Sequence, residues 1–189
     1  MKYVFIIRAA IGKARCHAPL IVVSALLLLV FAPGVNARSA RKLALHDMNG
    51  NPTRLSDFDG QVVVVNFWAT WCGPCREELP RFSAMARDYA PSHVAFVMIS
   101  IDDARKIEKI RNFVMQQQIK LPVWIGGSAD MVEHFSSKGV VPATLVLDQH
   151  GEIVRTVNGE ARDEDVKEAV DWLLSGRKGP RPQAVIKRY

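Results

Sequence analysis

Two thiols three residues apart, Cys72 and Cys75 in Trp71-Cys72-Gly73-Pro74-Cys75, are the residues of this 189-residue chain best suited to chemistry. Such a pair exchanges with disulfides when one thiol is readily ionised, and its surroundings favour that. The run before it, Val62-Val63-Val64-Val65-Asn66-Phe67-Trp68, is β-branched and almost wholly apolar, as a central strand buried on both faces must be. After it, Leu79, Phe82, Ala86 and Tyr89 recur at helical spacing. The dithiol therefore falls at a helix start, where unpaired N–H groups and the positive end of the helix dipole stabilise a thiolate. A fall in pKa from about 8.5 to about 7 would raise the thiolate fraction at neutral pH from roughly 3% to roughly half. Cys72 is the expected nucleophile and Cys75, one turn further in, the shielded resolving thiol. No organic cofactor is implied, because the Cys72–Cys75 couple would itself carry the electrons.

The competing use of a C-x-x-C is half of a structural zinc site, which needs two more thiolate or imidazole ligands at suitable spacing. The third cysteine, Cys16, lies in a segment expected to be removed, and His46, His93, His134 and His150 form no H-x-x-x-H pair. No metal site is expected on this pattern.

The segment Val65-Asn66-Phe67-Trp68-Ala69-Thr70-Trp71-Cys72-Gly73-Pro74-Cys75 resembles the active-site stretch of thioredoxin-like proteins, and more narrowly that of the TlpA/ResA group of extracytoplasmic thiol–disulfide oxidoreductases. The likeness covers most of Leu43 to Leu174. Pro80, five residues after Cys75, matches the proline that kinks the family's active-site helix, and Val141-Pro142-Ala143-Thr144 resembles its cis-proline loop. The resemblance implies that Pro142 faces the dithiol and that the Val141 backbone pairs with an extended substrate segment. Trp71, Gly73, Pro74 and Val141 are then the expected substrate-contacting residues. Where plain thioredoxin carries a buried aspartate, this chain has Asn66, and an amide cannot accept a proton from Cys75. In the resembled group a carboxylate lies three residues after the second cysteine, which is Glu78 here. Two readings of Glu78 stand: it tunes proton transfer at Cys75, or it and Glu77 merely complement the helix N-terminus.

Residues 1–37 read as an export signal. Lys2, Arg8, Lys13 and Arg15 precede the apolar stretch Ala18 to Ala32, and Val35-Asn36-Ala37 offers small residues for cleavage, so the mature chain would start at Arg38. An uncleaved membrane anchor is the other reading, although the apolar run falls short of the roughly 20 residues that span a bilayer comfortably. Either way the dithiol is expected in the periplasm. The formal charge of +6 drops to +2 once the four cations of the leader are removed. The last fifteen residues supply five more in Arg177, Lys178, Arg181, Lys187 and Arg188, leaving residues 38–174 mildly acidic. That balance argues against nucleic-acid binding. With Gly176, Gly179, Pro180 and Pro182 among them, residues 175–189 read as a flexible basic tail.

Residues 38–174 suit one domain with one core. Val94 to Ile101 reads as a second buried strand, and Ile107, Ile110, Phe113 and Val114 give a following helix its apolar face. A short strand near Leu121 to Ile125 and a helix near Ala129 to Phe135 lengthen the interval before Pro142, an insertion that the TlpA/ResA resemblance also implies. Ala143 to Leu147 and Glu152 to Val157 read as strands joined by the turn Asp148-Gln149-His150-Gly151. Asp163 is placed to cap a last helix bearing Val166, Val170, Leu173 and Leu174. Ahead of the active-site strand, Leu43 to Leu45 and Thr53 to Leu55 flank Asn49-Gly50-Asn51-Pro52 as a hairpin. The expected fold is α/β and thioredoxin-like, a central mixed β-sheet flanked by helices with an N-terminal β-hairpin. Trp68 is expected to support the active-site loop, and Trp124 and Trp172 to lie in the core.

The function expected from these residues and the resemblance is reduction of protein disulfides by a monomer. The resemblance adds a setting, cytochrome c maturation or oxidase copper-site assembly, and an electron donor, a membrane thiol transporter of the DsbD/CcdA kind. Two competitors share the fold. A DsbA-like oxidant would run the exchange backwards, whereas Gly73-Pro74 is the thioredoxin dipeptide. A Sco-like copper chaperone spaces its cysteines as C-x-x-x-C and adds a distant histidine, for which His134 is the only tempting candidate.

Overall fold

The computed structural model describes residues 39–136 and 138–188; the expected leader, with Cys16 and its cleavage point, lies outside the described residues. One eight-stranded mixed sheet runs through this region in the order β2-β1-β5-β4-β3-β6-β7-β8. Its strands are β1 (Ala44–Asp47), β2 (Pro52–Arg54), β3 (Val62–Trp68), β4 (Val94–Ser100), β5 (Val123–Ile125), β6 (Ala143–Leu147), β7 (Ile153–Gly159) and β8 (Val185–Arg188). The helices are α1 (Gly73–Tyr89), α2 (Ile107–Gln116), α3 (Ala129–Ser136) and α4 (Asp163–Leu174). β3 pairs in parallel with β4 and antiparallel with β6, so the strand that feeds the dithiol lies at the centre. Among the described residues, no helix is long and apolar enough to cross a membrane.

All seven residues of β3 are buried, and its two-residue period divides them between two cores. Val62, Val64 and Trp68 pack with α1, α2 and α4 through Leu79, Phe82, Ile110, Phe113, Val166 and Val170. Val63, Val65 and Phe67 face the other layer, where Val132 and Phe135 of α3 join Leu43 and Leu55 from the N-terminal segment. The near-continuous apolar run is thus explained by helices on both faces of the strand. Trp124 is buried as expected, whereas Trp172 is only half-buried and carries the Arg177 guanidinium 5.5 Å from its ring centroid.

Two expectations are corrected. The tail is not a loose extension: β8 pairs in parallel with β7 from Thr156↔Val185 to Gly159↔Arg188. Arg155 on β7 is fully buried and donates from Nε to the Gln183 carbonyl at 2.8 Å, from Nη1 to the Asp165 carbonyl at 2.6 Å and from Nη2 to Glu168 at 2.8 Å. Glycine and proline density marked turns between elements here, not disorder. The cap of α4 also differs from expectation. Asp163 is turned to Arg81 at 2.9 Å, and it is the Asp165 carboxylate that accepts the Arg162 amide, at 2.9 Å, in front of the helix.

Candidate functional site

Cys72 is the residue at which β-type backbone gives way to α1, and Pro74 sits in the first turn, where its missing N–H costs nothing. The two cysteines are joined as a disulfide, and the Cys75 amide donates to Cys72 Sγ at 3.2 Å. A sulfur there receives an orphan helix N–H, the contact that would stabilise a thiolate once the bond is reduced. Cys72 is 4% exposed and Cys75 fully buried, while Trp71 is 63% exposed and Gly73 and Pro74 are open to solvent. Pro80 lies inside α1, where it withholds the hydrogen bond that the Arg76 carbonyl would otherwise receive.

The loop that presents Cys72 is clamped from outside the sequence motif. Asp102, just after β4, accepts the Thr70 amide at 2.8 Å and the Thr70 hydroxyl at 2.6 Å, and Ser100 Oγ donates to it at 2.9 Å. Arg76 reaches back from α1 to the Thr70 carbonyl at 3.3 Å. Sequence reading missed Asp102, whose only local signal is an acidic residue directly beyond an apolar strand.

The Val141–Pro142 peptide bond is cis. In the β3–β6 register Phe67 lies opposite Ala143, so Pro142 falls at the same end of the sheet from which the Thr70–Cys72 loop departs. Pro142 is buried, Val141 half-buried and Val140 exposed, and the Pro142 carbonyl accepts the Gly159 amide at 3.0 Å.

Glu78, one turn after Cys75, is fully buried. Its Oε1 accepts the Ala161 amide at 2.7 Å and its Oε2 accepts Asn66 Nδ2 at 2.8 Å. Burial raises its carboxyl from 4.5 to about 7, against the opposing pull of the Ala161 and Asn66 donors and the Arg81 charge, with Glu160 adding to the rise. Glu77 is exposed, so the two adjacent glutamates occupy different environments. A buried carboxyl that titrates near neutrality, on the turn after a buried thiol, has the properties of a proton acceptor or donor for that thiol. Ala161 was invisible to sequence reasoning because it lies 83 residues from Glu78. His134 is exposed, its ring edge-on to Phe135, and no group of three His, Cys, Asp or Glu residues suited to a metal ion occurs among the described residues.

Within α/β architecture, a disulfide that caps a helix at the end of a central strand, set beside a cis-proline turn, is the mark of the thioredoxin-like class. The chain belongs to the Redoxin family, which it matches over residues 32–173. It is 29% identical over 133 residues to the thiol-disulfide oxidoreductase ResA of Bacillus thuringiensis subsp. konkukian, covering 69% of this chain and 74% of that protein. To the ResA of Bacillus subtilis it is 24% identical over 137 residues, covering 72% and 75%. Among solved structures it is similar to a thioredoxin family thiol:disulfide interchange protein from Chlorobium tepidum, with a TM-score of 0.62 and 24% identity over 74% of this chain and 98% of that one.

Proposed function

We propose that this thiol–disulfide oxidoreductase works in the periplasm as a reductant of protein disulfides, with Cys72 as nucleophile and Cys75 as resolving thiol. The observation that carries the reading is the Cys75 amide on Cys72 Sγ at the head of α1. In the reduced protein a Cys72 thiolate attacks a partner disulfide, forming a mixed disulfide and releasing one partner thiolate, which takes a proton. Cys75 then gives its proton to the Glu78 carboxylate and attacks Cys72 Sγ. The second partner sulfur leaves, so the partner gains two electrons and the Cys72–Cys75 disulfide forms. A donor dithiol must return those electrons, and a membrane thiol transporter of the DsbD/CcdA kind fits an exported protein.

The exposed, largely apolar rim of the site suits docking of a protein segment. Trp71, Gly73 and Pro74 are exposed around the buried sulfurs, and the half-buried Val141 precedes the buried Pro142. An extended segment pairing with the Val141 backbone would bring its own disulfide to Cys72. The basic leader with its apolar run supports export, whether it is cleaved or kept as an anchor. Cytochrome c maturation or the preparation of copper-site cysteines is the setting in which such a monomeric reductant would serve.

Direction is tested by redox titration of the Cys72–Cys75 couple. A potential near that of thioredoxin, about −270 mV, is expected, and one near that of DsbA, about −120 mV, would turn the protein into an oxidant.

A further inference from the structure

We propose that β8, through Arg188, is a positioning element of the redox site, holding the Ala161 amide on the Glu78 carboxylate. The inference rests on the reading of Glu78 as the proton acceptor for Cys75, and gives that residue a remote support.

Arg188 grips the chain on both sides of Ala161. Before it, Gly159 is the cross-strand partner of Arg188, in a left-handed conformation with φ of +92°. The approach is so close that an added Cβ on Gly159 would lie 2.4 Å from the Arg188 carbonyl oxygen, so only glycine admits β8 at this register. After it, the Arg188 guanidinium forks onto Asp165, from Nε to Oδ2 at 3.0 Å and from Nη2 to Oδ1 at 2.6 Å. The same Asp165 Oδ2 accepts the Arg162 amide at 2.9 Å. Burial pushes the Asp165 carboxyl up, but the Arg188 fork, the Arg162 amide and the Arg155 charge outweigh it, and it stays ionised below its usual range.

Between these grips the Ala161 amide lies 2.7 Å from Glu78 Oε1, and Gly159 donates its own amide to the Pro142 carbonyl at 3.0 Å. One short segment therefore touches the buried carboxylate, the cis-proline loop and the last strand. From α1, Arg81 adds a third hold, to the Ala161 carbonyl at 3.1 Å and to Glu160 at 2.7 Å. The charged and titratable groups acting on Glu78 are Arg81 and Glu160, with Cys75 one turn before it on α1. Ala161 is one of the two hydrogen-bond donors that favour the ionised form of Glu78, and loosening it must make the proton harder to remove.

The test is a 13C NMR titration of the Glu78 carboxyl in the full oxidised chain, comparing the parent with Arg188→Ala, Arg188→Lys and Lys187→Ala. Arg188→Ala is expected to raise the midpoint by about one unit, as loss of much of one charge-assisted hydrogen bond would. Arg188→Lys, which keeps the charge but not the fork, is expected to raise it by a smaller amount and serves as the test if Arg188→Ala does not fold. Lys187→Ala removes the same charge one residue away and is expected to leave the midpoint in place. An unchanged midpoint in folded Arg188 variants would overturn the proposal, as would an equal shift in Lys187→Ala, which would make the effect one of field alone. This titration does not depend on what Glu78 does in exchange. That reading fails separately if Glu78→Gln leaves the pH profile of thiol exchange unchanged.

Discussion

Asn66 Nδ2 lies 2.8 Å from Glu78 Oε2 and 3.0 Å from Thr144 Oγ1, so one buried amide ties the carboxylate of the active-site helix to the strand that follows the cis-proline. The carboxyl group of this site is thus delivered by α1 and only steadied by β3.

The burial of Glu78 has a consequence for stability. Its carboxyl is raised from 4.5 to about 7, so the folded protein holds this proton more tightly than the unfolded chain. The associated stability is fully present below pH 4.5, declines as pH rises, and is lost above about pH 7. The shift corresponds to at most about 3 kcal/mol. Urea unfolding of the oxidised protein between pH 4 and pH 8 is expected to show this decline, and Glu78→Gln to flatten it. Parallel pH profiles for the two proteins would contradict the assignment.

Asp102 holds Thr70 by both its amide and its hydroxyl, two residues before Cys72. Asp102→Ala leaves the buried Thr70 amide unpaired and is expected to cost about 2–4 kcal/mol. Because the loop it frees carries Trp71 and Cys72, iodoacetamide should modify Cys72 of the reduced variant with an altered pH dependence. A variant with parent stability and parent alkylation profile would show that the clamp is idle.

Trp71 is 63% exposed and adds little to the core, which makes the docking role proposed for it separately testable. Trp71→Ala is expected to change stability by less than about 0.5 kcal/mol while slowing reduction of a folded protein disulfide several-fold. Glutathione disulfide, which has little surface to dock, should react at nearly the parent rate. Equal slowing of both substrates would assign Trp71 to the reacting sulfurs instead of the rim.

Arg155 is the buried anchor of the last strand, and truncating it strands the Gln183 and Asp165 carbonyls without their donor. Arg155→Ala is expected to destabilise the protein by about 2–4 kcal/mol, through lost hydrogen bonds and packing, since the Glu168 partner left behind is solvent-exposed. Amide hydrogen exchange should speed up first at Thr156 and in β8, whose pairing with β7 depends on that anchor. Protection in β8 equal to that of the parent would mean that the strand docks without Arg155.

The elements with a strong local period were legible in the sequence. Val62–Trp68 and the Leu79, Phe82 face of the active-site helix announce themselves by which residues must be buried, and the cysteines by their spacing. β8 was not legible, because Val185–Arg188 alternates between exposed and half-buried residues behind a glycine- and proline-rich run. What makes it a strand is Arg155 on β7, 28 residues from the carbonyl it binds, together with a glycine at position 159 that has no side chain to exclude it. For the same reason the partners of Glu78 were hidden. Asn66 and Ala161 meet it only after β3, α1 and the β7–α4 connection have packed, and no local pattern encodes that meeting. Asp163, a sound cap by sequence, was drawn away by Arg81 from 82 residues back.

The central claim is that Cys72 attacks a partner disulfide and Cys75 resolves it. Reduced Cys75→Ala, mixed with a protein disulfide substrate and analysed by intact mass and peptide mapping, tests it most directly. A stable mixed disulfide on Cys72 that disappears in Cys72→Ala/Cys75→Ala is the predicted result. Failure to trap any partner, or trapping that survives removal of Cys72, would contradict it.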